Sequence, residues 1–296
     1  RALKKYKSDI YFSPDGYLSL KTDVKQVNVI HDINFEHNPE DVPSTIRKYL
    51  RKYFPKFAKK AHHIITVSEY SKQDICKTYD ISQQKVTAIW NAASDVFRPI
   101  LEDKEIEIRK EYTNGKPYFL FVGALHPRKN LSRLIPAFEK FKKENPDDTH
   151  QLLIVGEALF SNSFGEIRIS DDLKKNIYFT GHLSLEKLAL VMASADVFTF
   201  VPYFEGFGIP MVEAMQSGTP ILAGNLTSLP EVGGDVVLYC DPMNVDDIVD
   251  KLSLIANNEA LKNELSQKGL ERSQLFSWDE SAEKVWEILM DAITTK

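Results

Sequence analysis

Only two cysteines, Cys76 and Cys240, occur in the 296 residues. They lie far apart and offer neither a disulfide framework nor a metal-ligand spacing, so a reducing, cytosolic setting is expected. No Asp-x-Asp pair occurs, and the seven histidines show no zinc-like spacing, so no metal site is expected. Apolar runs such as 118–125 fall far short of the ~20 residues a membrane-spanning helix requires. The basic opening lacks the apolar core of a signal peptide. Fixed-period repeats and low-complexity segments are also missing, which excludes solenoids and tails.

What is there fits a globular protein: 43% hydrophobic and 27% charged residues. The length exceeds one ordinary core, so two domains are expected. Their charge differs. Residues 1–99 hold 17 Lys and Arg against 11 Asp and Glu, a balance of +6, and the remainder stands at −11. We expect a first domain over 1–99, a charged linker over 100–116, a second domain over 117–272, and a C-terminal helix within 273–296 that packs back toward the first domain.

Short apolar runs alternate with helical patterns. In the first part, runs at 27–30, 64–67 and 86–89 deliver polar residues to their carboxyl ends: His31 and Asp32, Ser68, and Asn91. In the second, strands are expected at 118–122, 152–155, 177–179, 197–200 and 220–223. Helices are expected at 130–143, 185–193, 210–216 and from Val245 onward. Such alternation implies βαβ units and parallel sheets, whose ligands sit beyond the carboxyl ends of the strands.

One segment is dense in chemistry. From Phe200 to Ala214 the chain runs from a strand through a glycine-flanked loop into a helix. Gly206 and Gly208 let backbone amides approach a ligand, Pro210 suits the first helical turn, and the new helix points its positive end at the same spot. That makes an anion site. Glu205 and Glu213 bracket it. Carboxylates beside a phosphate do not bind phosphate; they accept hydrogen bonds from vicinal diols, here of a sugar and a ribose. The plainer reading makes Glu213 a helix acid and Glu205 a solvated loop acid. A second segment, Phe121 to Leu131, leaves a strand at Gly123 and brings Arg128 and Lys129 to a helix start. Two cations there oppose the helix dipole and call for an anion, which a diphosphate supplies.

Together these residues resemble the nucleotide-sugar glycosyltransferases of family 4, with the E-x7-E signature at Glu205 and Glu213. Further blocks follow the family's order: Ile30-His31-Asp32, Ile65 to Glu69, Asn91 to Ser94, Gly123 to Asn130, Gly181 to Ser184, Ser217 to Pro220, Pro230 to Gly234 and Phe276-Ser277-Trp278. The resemblance implies an α/β fold of the GT-B type, two Rossmann-like domains facing a cleft. It implies that Arg128 and Lys129 hold the diphosphate, Glu213 the ribose, and Glu205 with the amides of Gly206, Phe207 and Gly208 the donor sugar. Gly123 belongs to the same donor side, and His182 and Leu183 lie near the base. His31 would be catalytic beside Glu205, facing the anomeric centre, with Asp32, Ser68 and Asn91 on the acceptor side. Transfer would retain anomeric configuration and need no metal, no cofactor and no enzymatic nucleophile; the nucleotide sugar is a substrate. The products would be cell-surface polysaccharide, lipopolysaccharide or glycolipid, made on a sugar or lipid-linked acceptor.

Three departures stand out. Val201-Pro202 replaces the family's Pro-Ser, Asn91-Ala92 replaces Asn-Gly, and only 30 residues precede His31 where the family carries further strands and a glycine-rich loop. The N-terminal domain is therefore expected to be incomplete, and transfer by this chain to be weak.

Gly206-Phe207-Gly208 begins like a dinucleotide fingerprint, but Met211 stands where the third glycine belongs, which argues against a dehydrogenase. Trp90, Trp278 and Trp286 are expected in cores or domain contacts. From Arg47 to Lys60 there are seven basic residues and no acid, interleaved with aromatics. That stretch is either a solvated helix face or a surface for anionic lipid or an anionic acceptor, which would put the protein at the inner face of a membrane. Nucleic acid is disfavoured by the acidic balance. An isomerase or phosphorylase of the same architecture, or a non-catalytic nucleotide-sugar binder, remain alternatives.

Overall fold

A computed structural model describes residues 2–157 and 169–294, and the chain divides into two units. The first comprises Arg1–Asn91, Glu205–Phe207 and Ser277–Lys296; the second comprises Ala92–Phe204 and Gly208–Phe276. Each is Rossmann-like, built on an all-parallel sheet, as the fold class expected from the sequence requires.

In the first unit the strands β1 (Ile10–Ser13), β2 (Lys25–Val29), β3 (His63–Thr66) and β4 (Val86–Ala88) lie side by side in chain order. Neighbouring residues of a strand point to opposite faces, so Ile64 and Ile65 enter different cores. Ile64 joins Ile30 with Phe54 and Phe57 of helix α1 (Ser44–Lys60) and Ile75 of α2 (Glu69–Tyr79). Ile65 joins Val27 and Ile89 beneath Val285, Ile288, Leu289 and Ala292 of the C-terminal helix Trp278–Thr294. The sheet is thus covered on both faces, which parallel strands demand.

The second unit holds β5 (Tyr118–Val122), β6 (Gln151–Val155), β7 (Ile177–Gly181), β8 (Val197–Phe200), β9 (Ile221–Gly224) and β10 (Leu238–Cys240), in the order β10-β9-β8-β5-β6-β7. All five residues of β5 and of β6 are buried, which explains their continuous apolar runs. Its longer helices are α3 (Glu102–Thr113), α4 (Leu131–Glu144), α5 (Leu185–Ala193), α6 (Ile209–Gln216), α7 (Val245–Ala256) and α8 (Glu259–Ser273). Leu131, Leu134, Ile135, Phe138 and Phe141 form the buried stripe of α4, and Phe119 meets Phe141 edge-on at 5.4 Å. Chain order reverses between β5 and β8. At such a switch point the loops leaving the two strands part in opposite directions and open a crevice at their carboxyl ends.

Two expectations are corrected. Residues 100–116 are not a linker, because α3 folds there within the second unit, with Ile108 fully buried and Arg109 Nε donating to Ser194 O at 3.0 Å. Residues 92–99 likewise group with the second unit; Phe97 is fully buried, and Ser94 O accepts from Gln216 Nε2. Second, Trp278 and Trp286 lie on the surface, 49% and 64% exposed, because the C-terminal helix turns its aliphatic residues to the sheet instead.

Candidate functional site

The exit of β5 is shaped by glycine. Gly123 has φ +151°, and Gly156, at φ +141° after β6, comes so close that a Cβ there would stand 2.0 Å from Gly123 O. Only glycine permits that approach. The chain then makes a short turn at Pro127–Lys129 and enters α4 through Asn130, which adopts the left-handed conformation at φ +65°. Lys129 is buried. Its stem lies against Gly123, and its Nζ sits 4.9 Å from the ring centroid of Phe200 at the end of β8. The partly exposed Arg128 precedes it.

Asn130 is fully buried and reaches across to the other strands. Its Nδ2 donates to Val201 O at 2.9 Å and to Pro242 O at 2.7 Å, just past β8 and β10. In return Tyr203 N donates to Arg128 O at 3.1 Å. The two loops at the switch point are therefore laced together by the Asn130 side chain and by one backbone hydrogen bond.

Beyond β8 the chain passes Glu205–Phe207 and enters α6 at Gly208, whose φ of +102° and close neighbour Leu229 favour glycine. Pro210 follows in the first turn. Glu213 rises from the second turn of α6, half-buried, and no described side chain pairs with its carboxyl group. Burial pushes that group up to about 7. On β7's exit, Gly181 has φ +71° and His182, exposed, donates its amide to Glu157 Oε1 at 3.4 Å; Leu183 is half-buried.

Glu205–Phe207 are buried and group with the first unit. Ser68 caps α2, accepting from Ser71 N at 3.0 Å, and its Oγ donates to Gly206 O at 2.7 Å. Ser71 Oγ donates to the same carbonyl at 3.2 Å. A Cβ on Gly206 would stand 2.4 Å from His31 O, so this glycine is required by a close backbone approach. His31 itself is exposed, and its Nε2 must donate to Pro14 O at 3.1 Å, because a carbonyl can only accept. Asp32 Oδ1 accepts from Asn34 N, and Asn91 closes the first stretch of the unit.

Among the residues named from sequence, Gly123, Arg128, Lys129, Gly208 and Glu213 belong to the second unit at the exits of β5 and β8, and His182 and Leu183 to the exit of β7. His31, Asp32, Ser68, Asn91 and the loop Glu205–Phe207 belong to the first. Sequence reasoning overlooked Asn130 and Ser71, whose partners lie far along the chain. Its place directly after the Arg128-Lys129 pair at a helix start was the only hint of Asn130. Among the described residues no group of His, Cys, Asp and Glu is arranged to hold a metal ion.

Comparison with known proteins follows the same division. A model of the family described as Glycosyl transferases group 1 matches residues 103–272, and one described as Glycosyltransferase Family 4 matches residues 1–95. The O-antigen chain mannosyltransferase B of Escherichia coli is 28% identical over 280 residues, covering 94% of this chain and 73% of that protein. The O-antigen chain mannosyltransferase RfbU of Salmonella typhimurium is 30% identical over 245 residues, covering 82% of this chain and 63% of its own length. In fold, a sucrose-phosphate synthase from Thermosynechococcus elongatus superposes with a TM-score of 0.81 at 20% identity, covering 98% of this chain and 75% of that one.

Proposed function

The chain belongs to the glycosyl transferases group 1 family, and on that premise we propose that it transfers a sugar from a nucleoside diphosphate to an acceptor hydroxyl with retention of configuration. The observation that carries this reading is the switch point. A buried lysine, two glycine-shaped loops and the amino end of α6 share the carboxyl edge of one parallel sheet, an arrangement suited to a diphosphate. In this reading Lys129 and Arg128 balance the diphosphate, Glu213 accepts from the ribose, Glu205 and the amides of Gly206 to Gly208 hold the sugar, and Gly123 makes room. His182 and Leu183 border the base. His31, Asp32, Ser68 and Asn91 serve the acceptor.

The step balances without an enzymatic nucleophile. The bond from the anomeric carbon to the diphosphate breaks with its electron pair leaving on phosphate, through an oxocarbenium-like state. The acceptor oxygen bonds to the same face, and its proton passes to the leaving phosphate oxygen. Lys129, Arg128 and the α6 dipole stabilise the charge that develops there, in place of a metal. Both relatives named above are mannosyltransferases by name, which makes mannose the first donor sugar to try. We assign the chain to family 4 and to cytoplasmic synthesis of a surface polysaccharide, lipopolysaccharide or glycolipid. No described helix is long and apolar enough to cross a membrane, and the basic α1 is the proposed contact with an anionic lipid surface.

Calorimetric titration with UDP, GDP, ADP and dTDP, and with their sugars, tests the reading. Glu213→Ala should lose about 1.5 to 3 kcal/mol of nucleoside diphosphate binding, the loss of a charged hydrogen bond. Lys129→Ala should lose more with the diphosphate than with the bare nucleoside. Absence of binding to every nucleotide and nucleotide sugar would sink the proposal.

A further inference from the structure

We propose that Asn130 is a positioning residue that fixes the cation-bearing loop after β5 against the loop after β8, and so sets the geometry in which a diphosphate is held. The inference rests on the donor-site reading above but on a separate observation. Lys129, assigned to the diphosphate, lies one residue before Asn130, and Tyr203, which hydrogen-bonds Arg128 O, lies two residues before Glu205. Besides that one backbone hydrogen bond, the Asn130 side chain joins these segments.

The orientation of its amide is forced by chemistry. Val201 O and Pro242 O can only accept, so both must face Nδ2. Arg133 Nη1 can only donate, and it reaches Oδ1 at 2.9 Å. All of the side chain's nearest polar neighbours therefore agree on one rotamer. No water can substitute easily, because the residue is fully buried. The backbone adds a second constraint: at φ +65° asparagine is one of the few residues besides glycine that is tolerated. Aspartate would put a charge against two carbonyl oxygens, and alanine would carry the strain without the hydrogen bonds. The single Nδ2 thereby ties together the exits of β5, β8 and β10. A clamp displaced by about 1 Å loses on the order of 100-fold in productive placement.

The test uses Asn130→Gly, which keeps the left-handed backbone free of strain and removes only the side chain. Arg133→Gln is the milder second variant, since it leaves Asn130 in place and removes the group that orients it. Amide hydrogen exchange at Tyr203 is read first, without ligand. It should accelerate at least about tenfold in Asn130→Gly, and less in Arg133→Gln, while amides in the middle of β6 keep their protection. Affinity is read second, for UDP and GDP against uridine and guanosine. The diphosphates should lose about tenfold or more, and the nucleosides less than about twofold. Unchanged exchange at Tyr203 in both variants would overturn the proposal whatever the ligand data. Equal loss for nucleoside and diphosphate would also overturn it, as that pattern belongs to general loosening. Faster exchange at Tyr203 alongside a wild-type protein that binds no nucleotide would keep the coupling and discard the donor-site reading, so the two failures are distinct.

Discussion

Glu213 shows how one residue's chemistry is set by what surrounds it. Its carboxyl group stands half-buried on α6 without a described partner, and desolvation alone raises it to about 7. The sign of the consequence is fixed by linkage. The folded state binds the proton more tightly than the unfolded chain, so the contribution to stability is fully present below about 4.5 and is lost as pH rises toward about 7. The upper bound is roughly 3 kcal/mol, from 1.36 kcal/mol per pH unit. Glu213→Gln should therefore be more stable than the native chain at pH 8, by denaturant titration, and no more stable at pH 4. A ribose that donates to the ionised carboxylate would also pull its proton off. At pH 6, binding of a nucleotide sugar should then release a proton, seen as a dependence of the calorimetric heat on the buffer's ionisation enthalpy. No release in the native protein, or the same release in Glu213→Gln, would remove Glu213 from the ribose site. The spacing that marks Glu213 was legible in sequence because it lies within a dozen consecutive positions; the contact that requires glycine at 206, with His31 O, was not. Asn130 was not, since Val201 and Pro242 are 71 and 112 residues away.

At the scale of the element, strands and most helices could be read because burial on both faces leaves continuous apolar runs, as in β5 and β6. The expected linker failed for a physical reason. Helix α3 buries little more than Ile108 and Thr113 and exposes Ile106, and Leu101 just before it is exposed too, so its apolar rhythm is too thin to separate from a charged connector. The opposite, amino end of the second sheet holds a feature that no pattern announces. His150, at the entry to β6, lies between two carboxylates: Nδ1 meets Asp148 at 2.8 Å and Nε2 meets Asp196 at 2.9 Å. The Phe119 ring stacks on it, and Lys262 of α8 joins Asp196 at 2.9 Å. Burial by itself lowers the histidine's pKa, but hydrogen bonds from the ring to Asp148 and Asp196 outweigh it and hold it above the ordinary value. Both nitrogens can donate only in the imidazolium, so the cation staples β6 to β8. Its stabilisation is complete below 6.5 and is lost as pH climbs through the raised value. The ring proton resonances of His150 should titrate with a midpoint above 6.5, and His150→Gln should narrow the stability gap between pH 6 and pH 9. A midpoint below 6.5 would mean that desolvation wins and the staple is neutral.

For the molecule as a whole, charge is the property that separates its parts, and α1 concentrates it. Leu50, Phe54, Phe57 and Ala58 turn inward, while Ile46 and Tyr49 remain 41% and 44% exposed. Arg51 is held by Glu36 at 3.0 Å, and Arg47 by Pro39 O. The lysines behave differently: Lys48, Lys52, Lys56, Lys59 and Lys60 are exposed, with Lys52 and Lys56 flanking Tyr53 at 5.3 and 5.7 Å. Tyr49 and Tyr53 pack along the same face at 4.7 Å, their rings tilted by 39°. Amphipathic rings set among flexible cations suit the headgroup region of an anionic bilayer, where each lysine contributes about 1 kcal/mol. Changing Lys48, Lys52 and Lys56 to Gln should therefore weaken binding to vesicles containing phosphatidylserine by about 100-fold, measured by co-sedimentation at low salt. Binding by the native chain should fall steeply as salt rises and the Debye length shrinks. Tyr49→Ala should lower it at every salt concentration, because the apolar part of the contact is not screened. None of the three lysines has a role at the switch point, so nucleotide affinity in solution should stay as it was. Native protein that leaves anionic vesicles in the supernatant at low salt would reduce α1 to a solvated face and remove the lipid surface from the proposed partners.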